Sequence, residues 1–422
     1  MPVSCWKIRH RAPSGAVPDL SNVLARSERA MLFILAGIQF CHVLDFMIMM
    51  PLGPFLISAL GISTHEFALL VASYSFSAAA AGLLIAPVVD RFERKRFVLA
   101  IFAAFAVATL LCAASPGFMS LLIARGLAGI FGGMMGALVH TMVADAIPFV
   151  RRAKATGYVA TAFSVSSIAG VPLSLLLADA LGWQAPFLLI ALVSAALIWF
   201  GYRALPDFRA HLDARREDRA VRQMLRVAVD PNHLRAMLLT ALVIFGGFTV
   251  IPYITLYTVA NVGIASDEIP AIYFLGGAAT LVTARLIGAL ADRFGKVIVF
   301  RIVAIGACLP VLLVTNLEQV PLVVWLSITT LFFILVSGRM VPLLAIVGAA
   351  VKPQERGTFL SLNATMQSMA MGLASMVGGV FITQSQDGLI SGYGWVGLVA
   401  ASFNVMAAVW VGRVTIHEGK PS

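Results

Sequence analysis

Charge is scarce in this chain of 422 residues. Asp, Glu, Lys and Arg together make up 12%, against 60% hydrophobic residues, and the mean hydropathy is +0.94. A soluble domain carries about 25% charged residues, so a water-soluble globular protein is excluded. Cysteine is scarce as well. Cys5, Cys41, Cys112 and Cys308 are scattered, three of them within apolar runs, which excludes a disulfide scaffold and offers no zinc spacing. No Gly-x-x-x-x-Gly-Lys-Ser/Thr loop occurs, so a P-loop does not power the protein with ATP. HTMVAD (140–145) has the His-x4-Asp spacing of some lipid acyltransferases. Five residues along one helix set those side chains about 140° apart, and no nucleophile or phosphate-binding motif supports them. No cofactor and no metal site are expected.

What the chain does have is long apolar runs. Twelve are expected to form helices, near 32–57, 67–89, 97–114, 117–146, 156–178, 185–204, 234–259, 269–291, 297–315, 321–350, 357–383 and 392–413. They are numbered spans 1 to 12 below. Each reaches or approaches the roughly 20 residues that cross a bilayer.

The formal net charge of +10 follows from where the 30 Lys and Arg lie. All but Arg125, Arg285 and Arg339 fall in or beside the two tails, the loops after the even-numbered spans and the linker between spans 6 and 7; the opposite loops hold none. Basic loops stay cytoplasmic, so both termini are expected inside, in an inner membrane. Positive charge is thus a topology signal with some attraction for anionic lipid, and no nucleic-acid partner is expected. Residues 1–30 read as a cytoplasmic tail and 415–422 as another. The linker 205–233 places Leu212, Val221, Leu225 and Ala228 among arginines. That pattern suits a basic helix on the membrane surface and equally a solvated connector.

The linker separates two bundles of six spans, 31–204 and 234–414, that echo each other. APVVDRFERKR (86–96) follows span 2 and GALADRFGK (288–296) follows span 8; PFVRRAKATGY after span 4 faces KPQERGTFLSL after span 10. A weak repeat at a nearly constant offset is the trace of a duplicated six-span unit. GALADRFGK resembles the Gly-x-x-x-Asp-Arg-x-Gly-basic loop of the major facilitator superfamily. RGLAGIFGG (125–133) resembles its fourth-span Arg-x-x-x-Gly motif, and SSIAGVPLSLLLADALGW (166–183) the fifth span of its drug and sugar efflux members. The first signature loop departs from the family with Ala86 and Glu93 where glycines are usual, and Val171 precedes Pro172 where antiporters more often have Gly-Pro. The resemblance implies an all-α membrane protein of twelve transmembrane helices in two pseudo-symmetric six-helix bundles, nearest to proton-coupled efflux permeases.

Asp45, in MLFILAGIQFCHVLDFMIMM, is the one acid near the centre of any span. Its candidate partner is Arg125 of span 4, and the resemblance places the two in one cavity. Burial raises a carboxylate's proton affinity and a neighbouring arginine lowers it, so the pair can alternate between states and couple protons, or stand as a fixed lock. His42 lies three residues before Asp45 on the same helical face. It can relay a proton or simply line the cavity. Arg339 of span 10 and Tyr253 of span 7 are candidate substrate contacts beside Arg125. Arg285 is near the membrane edge and can snorkel to water. Gly129, Gly132, Gly133 and Gly136 fit close helix packing better than substrate contact. The resemblance further implies a cytoplasmic latch of Asp90, Arg91, Arg94 and Asp145, with Asp292 and Arg293 as its second-half counterpart.

The function read from these residues is secondary active transport by alternating access, as a monomer. The favoured form is proton-coupled efflux of a small molecule such as a drug, sugar or metabolite. The alternatives are facilitated diffusion or uptake of a sugar or organic anion and, from a different class, a membrane-embedded acyltransferase or sensor.

Overall fold

The computed structural model describes residues 26–85, 92–205, 224–352, 354–385 and 387–416. Apolar composition and the need to satisfy every backbone polar group within lipid are met by helices throughout. Among the described residues, eleven helices are long and apolar enough to cross a membrane: Glu28–Ile48, Thr64–Leu84, Arg94–Ala113, Phe118–Ala146, Lys154–Leu181, Ala185–Ala204, Pro231–Val262, Ser266–Phe294, Lys296–Asn316, Leu322–Ala349 and Tyr393–Arg413. The remaining expected span is Arg356–Phe381. It has 26 residues, about 39 Å of helix, which is ample. Thr358, Ser361, Asn363, Thr365, Gln367 and Ser368 populate its first half and make it the polar member of the set.

Spans 1 and 7, expected to be continuous, are broken in matching places, and spans 9 and 10 are interrupted at Ala307 and Arg339. Span 1 ends its regular helix at Ile48, turns through 49–52 and resumes as Gly53–Leu60. Span 7 ends at Phe248, then passes through a 3-10 turn Ile251–Tyr253, a helical turn Ile254–Tyr257 and a π turn Thr258–Val262. Pro51 and Pro252 explain the breaks, since proline has no N–H to give the preceding turn and its ring crowds it. Span 5 carries a π segment, Ser166–Gly170, just before Pro172, and Ser166 Oγ donates to Phe40 O of span 1 at 3.3 Å.

The bundles meet along two helix pairs. Spans 2 and 11 run side by side. Thr64 Oγ1 donates to Ile382 O at 3.0 Å, Gly372 receives the Phe76 ring, and Thr365 Oγ1 reaches the Gly82 position. Spans 5 and 8 touch where Gly277 faces Ile168. Between them, the rings of Phe46 in span 1 and Phe248 in span 7 lie 6.0 Å apart. Small residues at these crossings let backbones approach, which is how helices associate where lipid removes the hydrophobic drive.

One element was not legible in the sequence. After span 11 the chain forms a two-stranded antiparallel hairpin, β1 (Thr383–Gln384) and β2 (Ile390–Ser391), in the register Thr383 to Ser391. Asn261 at the end of span 7 clamps it: its Nδ2 donates to Ile390 O at 2.9 Å, and Ile390 N donates to its Oδ1 at 2.8 Å.

Candidate functional site

Asp45 lies three residues before the break in span 1, and Arg125 lies in the early turns of span 4. Arg125 Nη1 donates to Asp45 Oδ2 at 2.8 Å and lies 3.4 Å from the Asp45 main-chain oxygen. Thr109 Oγ1 of span 3 donates to Oδ1 at 3.4 Å. The acid is 0% exposed and the base 1%. The expected pair is therefore formed, and it is sealed.

Span 2 completes the cluster. The Arg125 guanidinium lies over the Tyr74 ring, 4.6 Å from its centroid, a cation–π contact that gains strength when dry. The Tyr74 hydroxyl is 2.9 Å from His42 Nδ1. His42 thus joins the pair through Tyr74, across the ring, although it sits one turn from Asp45 on the same helix. Glycine makes this geometry possible. A Cβ on Gly129 would fall 2.8 Å from Tyr74 Cα, and one on Gly132 would fall 3.0 Å from His42 Nδ1. Gly133 likewise admits the backbone of Ala78, whereas nothing lies within 4 Å of a Cβ on Gly136. The packing role holds for three of the four glycines.

What can such a cluster do? Removing one partner from a buried ion pair leaves an uncompensated charge, which costs about 3–5 kcal/mol. The pair therefore opens when both charges are compensated: a proton on Asp45, and water or another anion on Arg125.

In the second bundle Tyr253 is packed against its neighbours. It is completely buried, its hydroxyl donates to Ser375 O at 2.7 Å, and its ring meets Phe67 edge-on at 6.2 Å. The break before it turns the side chain into the seam between spans 7 and 11. Tyr257 and Asn261, which follow it at four-residue spacing, are buried also: Tyr257 packs on Tyr393 at 4.8 Å, and Asn261 holds the hairpin. Arg339 is 2% exposed. It packs within the second bundle beside Gly246 and Gly247, with Asn404 next to it. Arg285 is exposed, as a snorkelling residue would be.

Of the expected latch, Arg94 Nε and Asp145 Oδ2 are joined at 3.0 Å, with the arginine buried and the acid partly open. Asp90 and Arg91 lie outside the described residues. Asp292 and Arg293 are exposed at the end of span 8, with no ion pair among the described residues; Arg293 lies over the Phe294 ring, 5.2 Å from its centroid. A further tie went unread in the sequence. Arg151 grips Glu28 with two hydrogen bonds of 2.6 and 2.9 Å, fastening the start of span 5 to the start of span 1.

The family model described as Major Facilitator Superfamily matches residues 35–338 and 236–422. The chain belongs to the major facilitator superfamily. It is 24% identical over 370 residues to an uncharacterised MFS-type transporter, YwfA, of Bacillus subtilis (strain 168), covering 86% of each chain. It is 24% identical over 360 residues to a probable sugar efflux transporter of Helicobacter acinonychis (strain Sheeba), covering 83% of this chain and 86% of that one. Among solved structures, the D-xylose–proton symporter matches with a TM-score of 0.76 at 17% identity, over 93% of this chain and 99% of that one. A bacterial homologue of the human lysosomal transporter Spinster, in its inward-facing and occupied form, matches with a TM-score of 0.73 at 16% identity, over 93% and 97%. The major facilitator assignment makes the protein a multi-pass membrane transporter and retires the acyltransferase reading.

Sequence reasoning reached Asp45, Arg125 and His42 but missed Tyr74 and Thr109. Both are polar groups on spans that face span 1. Their only signal was a hydroxyl inside an apolar run, a signal shared with many serines and threonines that bond their own helix.

Proposed function

We propose that the protein exports a small polar molecule, of the sugar class, from the cytoplasm across the inner membrane in exchange for protons. The single observation that carries this reading is the sealed Asp45–Arg125 pair, an acid deep within a span held by a base from another helix. An intramembrane ionisable group of this kind is functional by default, and related proteins carry the name sugar efflux transporter. Protonating Asp45 frees Arg125 and loosens spans 1 and 4; losing the proton closes them again. Rocking of one bundle against the other would supply alternating access, with Arg94–Asp145 as part of the cytoplasmic latch. A partly exposed pair contributes only about 0–1 kcal/mol, which suits a contact broken in every cycle. The basic loops support cytoplasmic termini, and the chain acts as a monomer.

The energetics suffice. One charge moving down 100 mV supplies about 2.3 kcal/mol, and about 1.4 kcal/mol is tenfold, so one proton sustains a gradient of about fiftyfold.

The complete burial of the pair, reinforced by Thr109, also favours a second reading: a fixed clasp in a facilitator that moves its substrate without protons. Flux in proteoliposomes with and without an imposed pH gradient separates the two. Gradient-dependent flux that Asp45→Asn abolishes supports exchange. Flux indifferent to the gradient refutes it.

A further inference from the structure

The break in each bundle gives a common register. Asp45 stands six residues before Pro51, and Gly246 stands six residues before Pro252. At the position where the first bundle carries its acid, the second therefore carries no side chain. Arg339 of span 10 is aimed at that position. A Cβ on Gly246 would lie 3.1 Å from Arg339 Nη1, and one on Gly247 would lie 2.7 Å from Nη2.

Arg339 is 2% exposed, and its Nε donates to Val336 O of its own helix at 3.1 Å. That bond curls the stem and presents the two Nη atoms to span 7. Nη1 has no hydrogen-bond partner, and no carboxylate pairs with the residue among the described residues. Beside it, Asn404 of span 12 is 0% exposed, and neither its Oδ1 nor its Nδ2 has a partner. Its Oδ1 is 2.5 Å from the same Gly246 Cβ position, so the amide and the guanidinium converge on one point. Stacked Phe245 and Phe403, 4.7 Å apart, hold spans 7 and 12 together next to it.

A buried, uncompensated guanidinium is expensive, and an unpaired buried amide adds to the cost. Both are relieved by one anionic group: a guanidinium offers a fork of donors to a carboxylate or halide, and the Asn404 amide, turned so that Nδ2 takes the place of Oδ1, adds another donor. One base matches one negative charge, which disfavours sulfate and phosphate dianions. We propose that Arg339, Asn404 and the Gly246–Gly247 step form a binding site for a singly charged anionic group within the second bundle. That group is either a free inorganic anion or the carboxylate of a transported molecule. The site is separate from Asp45–Arg125, and anion binding there does not require proton coupling.

The test uses the full-length protein purified in detergent and halide-free buffer at constant ionic strength. Thermal unfolding is followed by tryptophan fluorescence while chloride, bromide, acetate or sulfate is added. The expected result is a saturable rise in Tm of several degrees with a monovalent anion and none with sulfate. Saturation by halide identifies a free ion, and saturation confined to carboxylates identifies a substrate group. The rise should vanish in Arg339→Gln and persist in Arg285→Gln, an exposed control. In Gly246→Asp an internal carboxylate takes the place of the anion, so the anion-free Tm should rise and the response disappear. If Arg339→Gln does not fold, Gly246→Asp decides. If that variant also fails to fold, bromide located by its anomalous scattering in crystals of the unaltered protein decides, with a peak beside Arg339 expected. No saturable shift, a shift unchanged in either variant, or bromide located elsewhere overturns the proposal. Because only anion binding is read, its failure leaves the exchange reading untouched, and failure of gradient-driven flux leaves this site untouched.

Discussion

In the first bundle Arg125 meets a carboxylate at 2.8 Å, whereas in the second Arg339 faces a glycine step beside an unpaired amide. The scaffold around the two bases is alike in its broken first helix with a proline at the break and in drawing its base from the bundle's fourth helix, although that helix runs unbroken through Arg125 and is interrupted at Arg339. The charge is not. A duplicated backbone can keep its hinge while its two copies take opposite electrostatic roles, one complete within the protein and one completed by something else. The first bundle is then the natural place to respond to a proton, the second to respond to an anion.

The sharpest way to break that contrast is to remove the acid. Asp45→Asn should lower gradient-driven transport by about tenfold or more and destabilise the protein by about 3–5 kcal/mol, because it leaves Arg125 buried without its counter-charge. Flux assays and chemical unfolding check the two effects. Normal export by this variant would contradict the role given to the first bundle. Next in size, Gly129→Ala should cost about 1–3 kcal/mol, since its methyl group must push against the Tyr74 backbone. Gly136→Ala, facing open space, should stay within about 0.5 kcal/mol of the parent. Equal losses from both would show that close packing is not what those glycines supply.

Tyr74→Phe keeps the ring under Arg125 and removes the hydroxyl from His42, so a loss of about 1 kcal/mol is expected. A pH profile of transport that moves relative to the parent would tie His42 to coupling; an unmoved profile would confine Tyr74 to packing. The smallest effect lies outside the membrane. Burial alone would raise the Asp230 carboxyl, but the amides of His233 and Asn232 at the start of span 7 outweigh it and hold the group below its usual value. Its contribution to stability is therefore full above the ordinary aspartate range and fades as pH falls through the lowered value. Asp230→Asn should flatten the acid limb of a stability-against-pH curve and leave the neutral limb unchanged.

Most of the architecture was legible because spans are long and charges are sorted by side. Asp45 and Arg125 were legible for the same reason: each stands out against an apolar run, and a buried acid must find a base. What the sequence left unread has a common cause. A recurrence every four residues groups Tyr253, Tyr257 and Asn261 on one face, yet only the break at Pro252 decides where that face points, and it points inward. Tyr74 and Thr109 acquire meaning only when spans 2 and 3 are laid beside span 1. Arg339 was visible as an interior base. Its partners on spans 7 and 12 were not, since a glycine and an asparagine carry no charge to announce themselves.

Infrared difference spectroscopy of the purified protein tests the central claim most directly, with Asp45→Asn used to assign the Asp45 carboxyl band. Cycling protonation predicts a carboxylic-acid band that appears on proton loading, disappears on deprotonation and is missing from the variant. A carboxylate signal that stays constant across pH and throughout turnover would contradict it.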